Sequence, residues 1–330
     1  MNRSRIVVVG ASAGGVRALT ALAKGLAPSF PAPILVVQHV GPHPSILPAL
    51  LSKAGSNPAS HAADGEKIAP GRILIAPPDH HLLVEGDVVR VSRGPKENHS
   101  RPAIDPLFRS AALSWGPAVI GVVLTGSLDD GTAGLQAIKR CGGTAIVQDP
   151  DDAEVASMPA SAMHYVDVDH RAKLAEIPGL LLSLATSGRE RPAGEPPAAV
   201  VHENDLILRK GDLMEHLEAI ATPSTFVCPD CKGALWKVTD SKPERFLCHA
   251  GHGFTLRTLQ DAQSESTDEA LWSGVRALQE KGLLLKEMAQ GYRRERDLGE
   301  AQRLESAAQA AQRNADHLRA VIQKLNGTDG

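Results

Sequence analysis

Residues 5–15 read RIVVVGASAGG, and the reading of this one turn decides the fold. Four apolar residues in a row, with no polar alternation, mark a strand buried on both faces. The run stops abruptly in small residues, and residues 16–26 then carry a helical pattern. A buried strand that passes through glycines into a helix is the opening of a parallel α/β unit. The same continuous apolarity returns in ILVVQ (34–38), RILIA (72–76), AVIGVVL (118–124) and TAIVQ (144–148). Together these predict a doubly wound, mostly parallel sheet with helices on both faces. HHLLVEGDVVRVS (80–92) instead alternates around Glu85-Gly86-Asp87, a hairpin signal, so an antiparallel excursion is expected to interrupt the parallel order.

At 330 residues the chain is long enough for two or three units with a sizeable core. Its 42% hydrophobic and 22% charged residues are ordinary for a globular protein and exclude disorder. A net charge of −3, with no long cluster of Lys and Arg, removes the electrostatic basis for nucleic-acid or membrane-surface binding as a main role. No secretory h-region opens the chain and no stretch is apolar enough to span a bilayer, so membrane insertion is not expected and the location is read as cytoplasmic. Three of the 4 cysteines fall within residues 228–248, which in a reducing compartment suggests a metal before a disulfide.

Residues 187–199, SGRERPAGEPPAA, are rich in Pro and Gly and read as a linker. The expected organisation is an α/β domain over 1–186, the linker over 187–199, a helix with a small cysteine-bearing unit over 200–265, and a helical region over 266–330. In the last of these, Leu271, Val275, Leu278, Gly282, Leu285, Ala289 and Tyr292 recur at 4-3 spacing. Ala301, Leu304, Ala308, Ala311, Ala315, Leu318, Ile322 and Leu325 do so again after a break near Gly299. That pattern predicts two paired, coiled-coil-like helices. Capping of the neighbouring unit and docking of a partner helix are both open to them.

Gly10-Ala11-Ser12-Ala13-Gly14 has the form G-x-S-x-G, which exposes a serine hydroxyl at a strand end beside the free amides of a helix start. The bland alternative is a glycine-rich turn that cradles phosphate. A dinucleotide fingerprint would need glycine where Ser12 stands, and no Gly-Lys-Ser/Thr follows for a Walker loop. On the pentapeptide alone the two readings stay balanced. A nucleophilic serine needs a base and an acid. His39 ends the strand ILVVQ, where open α/β sheets gather their functional groups. Asp129 and Asp130 follow the strand of residues 118–124, and either also serves as a helix cap or turn residue.

Taken in order, GASAGG (10–15), VVQH (36–39), APPDHHL (76–82), SRPAIDPLF (100–108), LTGSLDDG (124–131) and SMPASA (157–162) resemble the chemotaxis protein-glutamate methylesterases, the CheB family. The resemblance covers roughly residues 5–184. It implies a triad of Ser12, His39 and Asp130, an oxyanion held by the backbone amides of Ala13 and Ser127, and no cofactor for catalysis. The implied substrates are glutamate γ-methyl esters of methyl-accepting chemoreceptors or related signalling proteins, with a kinase complex or a separate response regulator as further partners. Glutamine deamidation of the same receptors is the rival activity, and a non-catalytic scaffold is the rival outside enzymes. The order Ser, His, Asp differs from the Ser, Asp, His order of α/β-hydrolases. The chain departs from the family in having Gly126-Ser127-Leu128 where Gly-Met-Gly is usual, and in starting its esterase pattern at residue 5, so control by an attached receiver domain is not expected.

Cys228-Pro229-Asp230-Cys231, followed by Cys248 and a histidine of CHAGH, fits zinc-ribbon spacing. Reduced, unliganded cysteines are the alternative. His252 is preferred to His249 because it matches the C-x-x-G-H pattern of C-terminal extensions in some methylesterase relatives. Four protein ligands leave no open position, which makes the expected zinc structural. Cys141 reads as packing. Lying beyond a linker, the metal unit is expected to leave hydrolysis of a small ester unchanged when its zinc is removed.

Overall fold

The computed structural model describes residues 5–41, 43–187 and 195–326. Its first part runs β1 (Ile6–Ala11), α1 (Gly15–Gly25), β2 (Ile34–Gln38), α2 (Leu47–Ala54), β3 (Ala59–His61), β4 (Ile73–Ile75), β5 (His81–Glu85), β6 (Val88–Ser92), α3 (Ile104–Trp115), β7 (Val119–Val123), α4 (Thr132–Arg140), β8 (Thr144–Gln148), α5 (Ser157–Tyr165), β9 (His170–Ala172) and α6 (Ile177–Thr186). Seven strands form one sheet in the order β3-β4-β2-β1-β7-β8-β9, and every neighbouring pair is parallel.

The continuous apolarity of β1 is spent on both faces. Ile6 and Val8 pack with Leu107 and Phe108 of α3, Leu135 and Ile138 of α4, and Met158 of α5. Val7 and Val9 pack on the other face with Leu19 and Leu22 of α1, Leu51 of α2 and Leu181 of α6. Burial of each such side chain contributes about 1.5–3 kcal/mol, so the central strand is anchored twice over. The two edge strands escaped the sequence reading. β3 and β9 are three residues each, largely half-exposed, and have no apolar run to betray them. The predicted antiparallel excursion exists, but β5 and β6 form a separate two-stranded sheet. It packs on α3, where Trp115 Nε1 donates to Gly86 O at 2.8 Å and Ser114 Oγ to Val84 O at 3.0 Å.

The later part contains α7 (Ala198–Leu208), α8 (Leu213–Ile220), β10 (Ala221–Val227), β11 (Ala234–Val238), β12 (Arg245–Cys248), β13 (Gly253–Thr255), α9 (Leu256–Arg294) and α10 (Leu298–Asn326). β10 to β13 make an antiparallel ribbon over a small core that includes Leu206, Leu217, Ile220, Val238 and Leu247. The chain divides into two compact units, Met1–Leu259 and Gln260–Gly330. That division falls elsewhere than the boundaries expected at 186, 199 and 265. Of the expected linker, residues 188–194 lie outside the described residues, while Ala198 already begins α7.

A buried cluster explains why the ribbon belongs with the α/β core. Arg109 of α3 pairs with Glu97 and, at 3.1 Å, with Glu203 of α7, and Arg245 of β12 grips both oxygens of Glu203 at 2.7 and 2.6 Å. Two cations and two anions neutralise one another there, which is what burial of charge requires. In the second unit, α9 and α10 pair along the predicted seam: Val275, Ala289, Ala301, Leu304, Ala308, Ala311, Ala315 and Ile322 are buried. A Cβ on Gly282 would stand 3.6 Å from Ala308 O, so the helices approach closely there. α9 begins well before Leu271, where the 4-3 pattern starts, and the turn between the helices lies just ahead of Gly299.

Candidate active site

β1 lies at the point where the strand order reverses, with β2 on one side and β7 on the other. Open α/β sheets carry their sites beyond the carboxyl ends of the strands at such a point. Ser12 follows β1, His39 follows β2, and Asp130 lies in the loop that follows β7. The register of the three strands therefore brings together residues far apart in the chain. His39 Nδ1 stands 3.1 Å from Ser12 Oγ, and His39 Nε2 stands 2.7 Å from Asp130 Oδ2. The two ring nitrogens are used in the opposite sense to the serine-protease template, in which Nδ1 faces the acid. Either assignment works, because the acid holds the proton on one nitrogen and leaves the other lone pair for the serine.

The turn that carries Ser12 is built from glycines for steric reasons. Gly14, with φ 76°, ends the turn and caps α1. A Cβ on Gly126 would lie 2.9 Å from Ser12 Cβ, so the loop after β7 closes on the serine only with glycine there. Gln38 Nε2 donates to Ser12 O at 2.9 Å and to His39 O at 3.0 Å, and Thr125 Oγ1 donates to Ala13 O at 3.0 Å. Buried side chains thus tie the serine and histidine turns to the sheet. Ala13 and Ser127 lie exposed in the two loops that meet beside Ser12. Leu128 takes φ 63°, the left-handed conformation that glycine adopts freely, so this loop keeps a glycine-like path without the glycine usual in the family.

Asp130 is 1% exposed. Burial pushes its carboxyl up, but hydrogen bonds from His39, the amide of Ile104 and Asn98, together with the charge of His39, overcome this and hold it at about 2. Oδ2 accepts from Ile104 N at 2.7 Å, and Oδ1 accepts from Asn98 Nδ2 at 2.8 Å, Gly131 N at 2.9 Å and Asp105 N at 3.2 Å. The carboxylate sits at the N-terminus of α3, where free amides and the helix dipole favour negative charge. Asp129, the other candidate, is turned away: its Oδ1 accepts from Thr255 Oγ1 at 2.8 Å.

Sequence reasoning passed over Asn98, Asp105 and the start of α3. Asp105 and Ile104 fall in the motif SRPAIDPLF, whereas Asn98 lies just ahead of it with no local pattern to mark it. APPDHHL turns out to brace the same loop. Asp79 holds Arg101 at 2.6 Å, and His81 donates from Nε2 to Pro95 O at 2.9 Å and accepts from Ala103 N at 3.3 Å. Burial lowers the His81 imidazole to about 4, which keeps it in the neutral form those two bonds need.

Away from this edge, Cys228, Cys231, Cys248 and His252 place one ligand atom each within 4.8 Å of one another. Cys248 Sγ lies 3.6 Å from Cys231 Sγ and 3.5 Å from His252 Nδ1. Three thiols and an imidazole suit a tetrahedral zinc, which such donors bind as thiolates. His249 is exposed and packs beside Gly233 instead. Cys141 is buried in the α/β core.

A family model described as CheB methylesterase matches residues 7–181. A relative from Leptospira interrogans, provisionally named a protein-glutamate methylesterase/protein-glutamine glutaminase, is 39% identical over 187 residues, 56% of this chain and 97% of the relative. Protein-glutamate methylesterase/protein-glutamine glutaminase 2 of Anaeromyxobacter dehalogenans is 40% identical over 55% of this chain and 54% of its own length. The crystal structure of the Thermotoga maritima CheB methylesterase catalytic domain superposes with a TM-score of 0.52 at 35% identity, covering 55% of this chain and 99% of that domain. The parallel sheet, its strand-end loops and these matches coincide over the same residues, and the chain belongs to the CheB methylesterase family.

Proposed function

We propose that this methylesterase removes methyl groups from glutamate γ-methyl esters of chemoreceptor-like proteins through an acyl-enzyme on Ser12. The observation that carries the reading is the His39 ring set between Ser12 Oγ and Asp130 at one sheet edge. Asp130 keeps the proton on Nε2, so Nδ1 faces the serine as a base. As Ser12 Oγ attacks the ester carbonyl, its proton passes to Nδ1, and the imidazolium is stabilised by the buried carboxylate. The developing oxyanion is met by the backbone amides of Ala13 and Ser127 beside the start of α1. Collapse expels methanol, which takes the proton from Nδ1, and water repeats the sequence to free the glutamate carboxylate.

The same attack on a glutamine side chain would expel ammonia, and the relatives' names include a glutaminase. The reading includes a structural zinc on Cys228, Cys231, Cys248 and His252, an esterase over 1–186 with the ribbon as an addition to it, and a cytoplasmic location in which those thiols stay reduced. No helix among the described residues is long and apolar enough to cross a membrane. A receptor's kinase complex or a separate response regulator is the further partner in this reading. The test follows methanol from methyl-labelled receptor membranes and ammonia from glutamine-bearing receptor. Ser12→Ala is expected to lower turnover by about 10⁶-fold. Substantial turnover in that variant would overturn the triad, and release of neither product by the unaltered protein would favour the scaffold.

A further inference from the structure

Asp130 is held on two sides, by His39 toward the open edge and by Asn98 from behind. Asn98 is spanned in turn. Its Nδ2 donates to Asp130 Oδ1 at 2.8 Å and to Asp105 Oδ2 at 3.0 Å, while its Oδ1 accepts from Thr255 N and from Thr258 Oγ1, each at 3.3 Å. Its backbone N–H donates to Gly253 O at 2.7 Å. Residues 253–258 begin immediately after His252 and are locked to the ribbon, where Phe254 pairs with Phe246. Asn98 and His99 take φ 51° and 58°, the left-handed conformation in which Asn and His are enriched among residues other than glycine. Next to them, Thr255 Oγ1 also secures Asp129, and Glu97 is clamped by Arg109.

The pattern of donors gives this arrangement a direction. With Thr255 N–H and Thr258 O–H occupying its carbonyl, the Asn98 amide can turn only its NH₂ toward the two carboxyls. Reversed, it would set a carbonyl against the Asp130 carboxylate and an NH₂ against the Thr255 N–H, which donates also to Thr258 Oγ1 at 2.8 Å. Burial and the charge of Asp130 push Asp105 well above the ordinary carboxylate value, so Asp130 is the ion that the amide serves. We propose that Asn98 is a positioning residue for Asp130 and that the segment leaving the metal cluster orients Asn98, which makes the C-terminal ribbon a working part of the catalytic site. The proposal rests on the Ser12–His39–Asp130 reading.

Its test uses the full chain and a small activated ester, with thermal melting recorded for each variant. Asn98→Ala is expected to lower kcat by about 10–100-fold, a range typical of outer-shell partners, with KM unchanged. The acid limb of its kcat/KM profile should move to higher pH, because a carboxylate deprived of a donor makes the first protonation of the His39–Asp130 pair easier. Thr258→Val, which removes the one side-chain donor to the Asn98 carbonyl, should do the same to a smaller extent, and Thr258→Ser should restore both kcat and the limb. Joined to Asn98→Ala, Thr258→Val should add little, since both act through one amide. A kcat and acid limb unchanged in Asn98→Ala would overturn the proposal. So would a loss that leaves the limb in place and follows the melting temperature instead. Ser12→Ala run in parallel separates the two levels: turnover there sinks the triad, whereas an inactive Ser12→Ala beside a normal Asn98→Ala sinks only the positioning role.

Discussion

The two sides of Asp130 are built by different rules. Toward solvent, Ser12 and His39 each stand immediately after a strand buried on both faces, and parallel pairing of β1 and β2 brings them together with no further instruction. Behind, Asn98 comes from a loop, Ile104 from the start of α3, Thr255 from the end of β13 and Thr258 from the first turn of α9. The front is a product of local pattern and sheet register, while the back is assembled from segments more than a hundred residues apart. The contrast teaches that three residues all legible in one domain can be backed by hydrogen bonds that reach into another part of the chain.

The sharpest way to break this comparison is to exchange the roles of the adjacent carboxylates. Asp130→Asn is expected to cost about 10⁴-fold in kcat through the wrong imidazole tautomer. Asp129→Asn should cost less than about tenfold, because its carboxylate meets Thr255 and not His39. Kinetics on a small ester decide it, and a larger loss at Asp129 would put the acid one residue away.

A smaller effect tests the brace behind the loop. The folded imidazole of His81 lies at about 4, below an ordinary unfolded value of ~6.5. The unfolded chain therefore binds the extra proton between those limits. Its contribution to stability is complete above ~6.5 and is lost as pH falls toward ~4, amounting to about 2 kcal/mol at pH 5. Urea unfolding at pH 7 and 5 should show that much more loss in the unaltered protein than in His81→Gln.

The smallest expected effect bears directly on the ribbon. Treatment with EDTA should unfold a unit with so little core of its own and free residues 253–258 from their register. Small-ester turnover is then expected to fall by about tenfold and to recover with added zinc. The sequence, read as a chain of separate domains, calls for no change at all. An unaltered rate after removal of the metal would restore that division of labour.

The α/β sheet was legible because its five inner strands lie in continuous apolar runs, such as IVVV and ILVVQ, that only burial on both faces explains. β3 and β9 were not, since edge strands of three residues with half-exposed side chains carry no such run. The helical hairpin was legible from its Ala-rich 4-3 seam, and the cysteine cluster from C-x-x-C spacing, because a cysteine knuckle and a helix seam are both set by short-range spacing. Asp129 and Asp130 could not be told apart by pattern. They differ in which neighbour each one meets, and those neighbours, His39 and Thr255, lie in different parts of the chain.

By itself the sequence determined the order of the elements, the serine and histidine at their strand ends, and the four side chains of the Cys/His cluster that could hold a metal, since each is written in a stretch of a few residues with its own steric or chemical requirement. The tertiary structure alone decided that the ribbon joins the α/β core. Arg109, Glu97, Glu203 and Arg245 are unremarkable charges in sequence, and only their burial together, where none could remain unpaired, commits the two parts to one body. The same packing sets Asn98 between Thr255 and Asp130, because a buried amide settles where all its donors and acceptors are met.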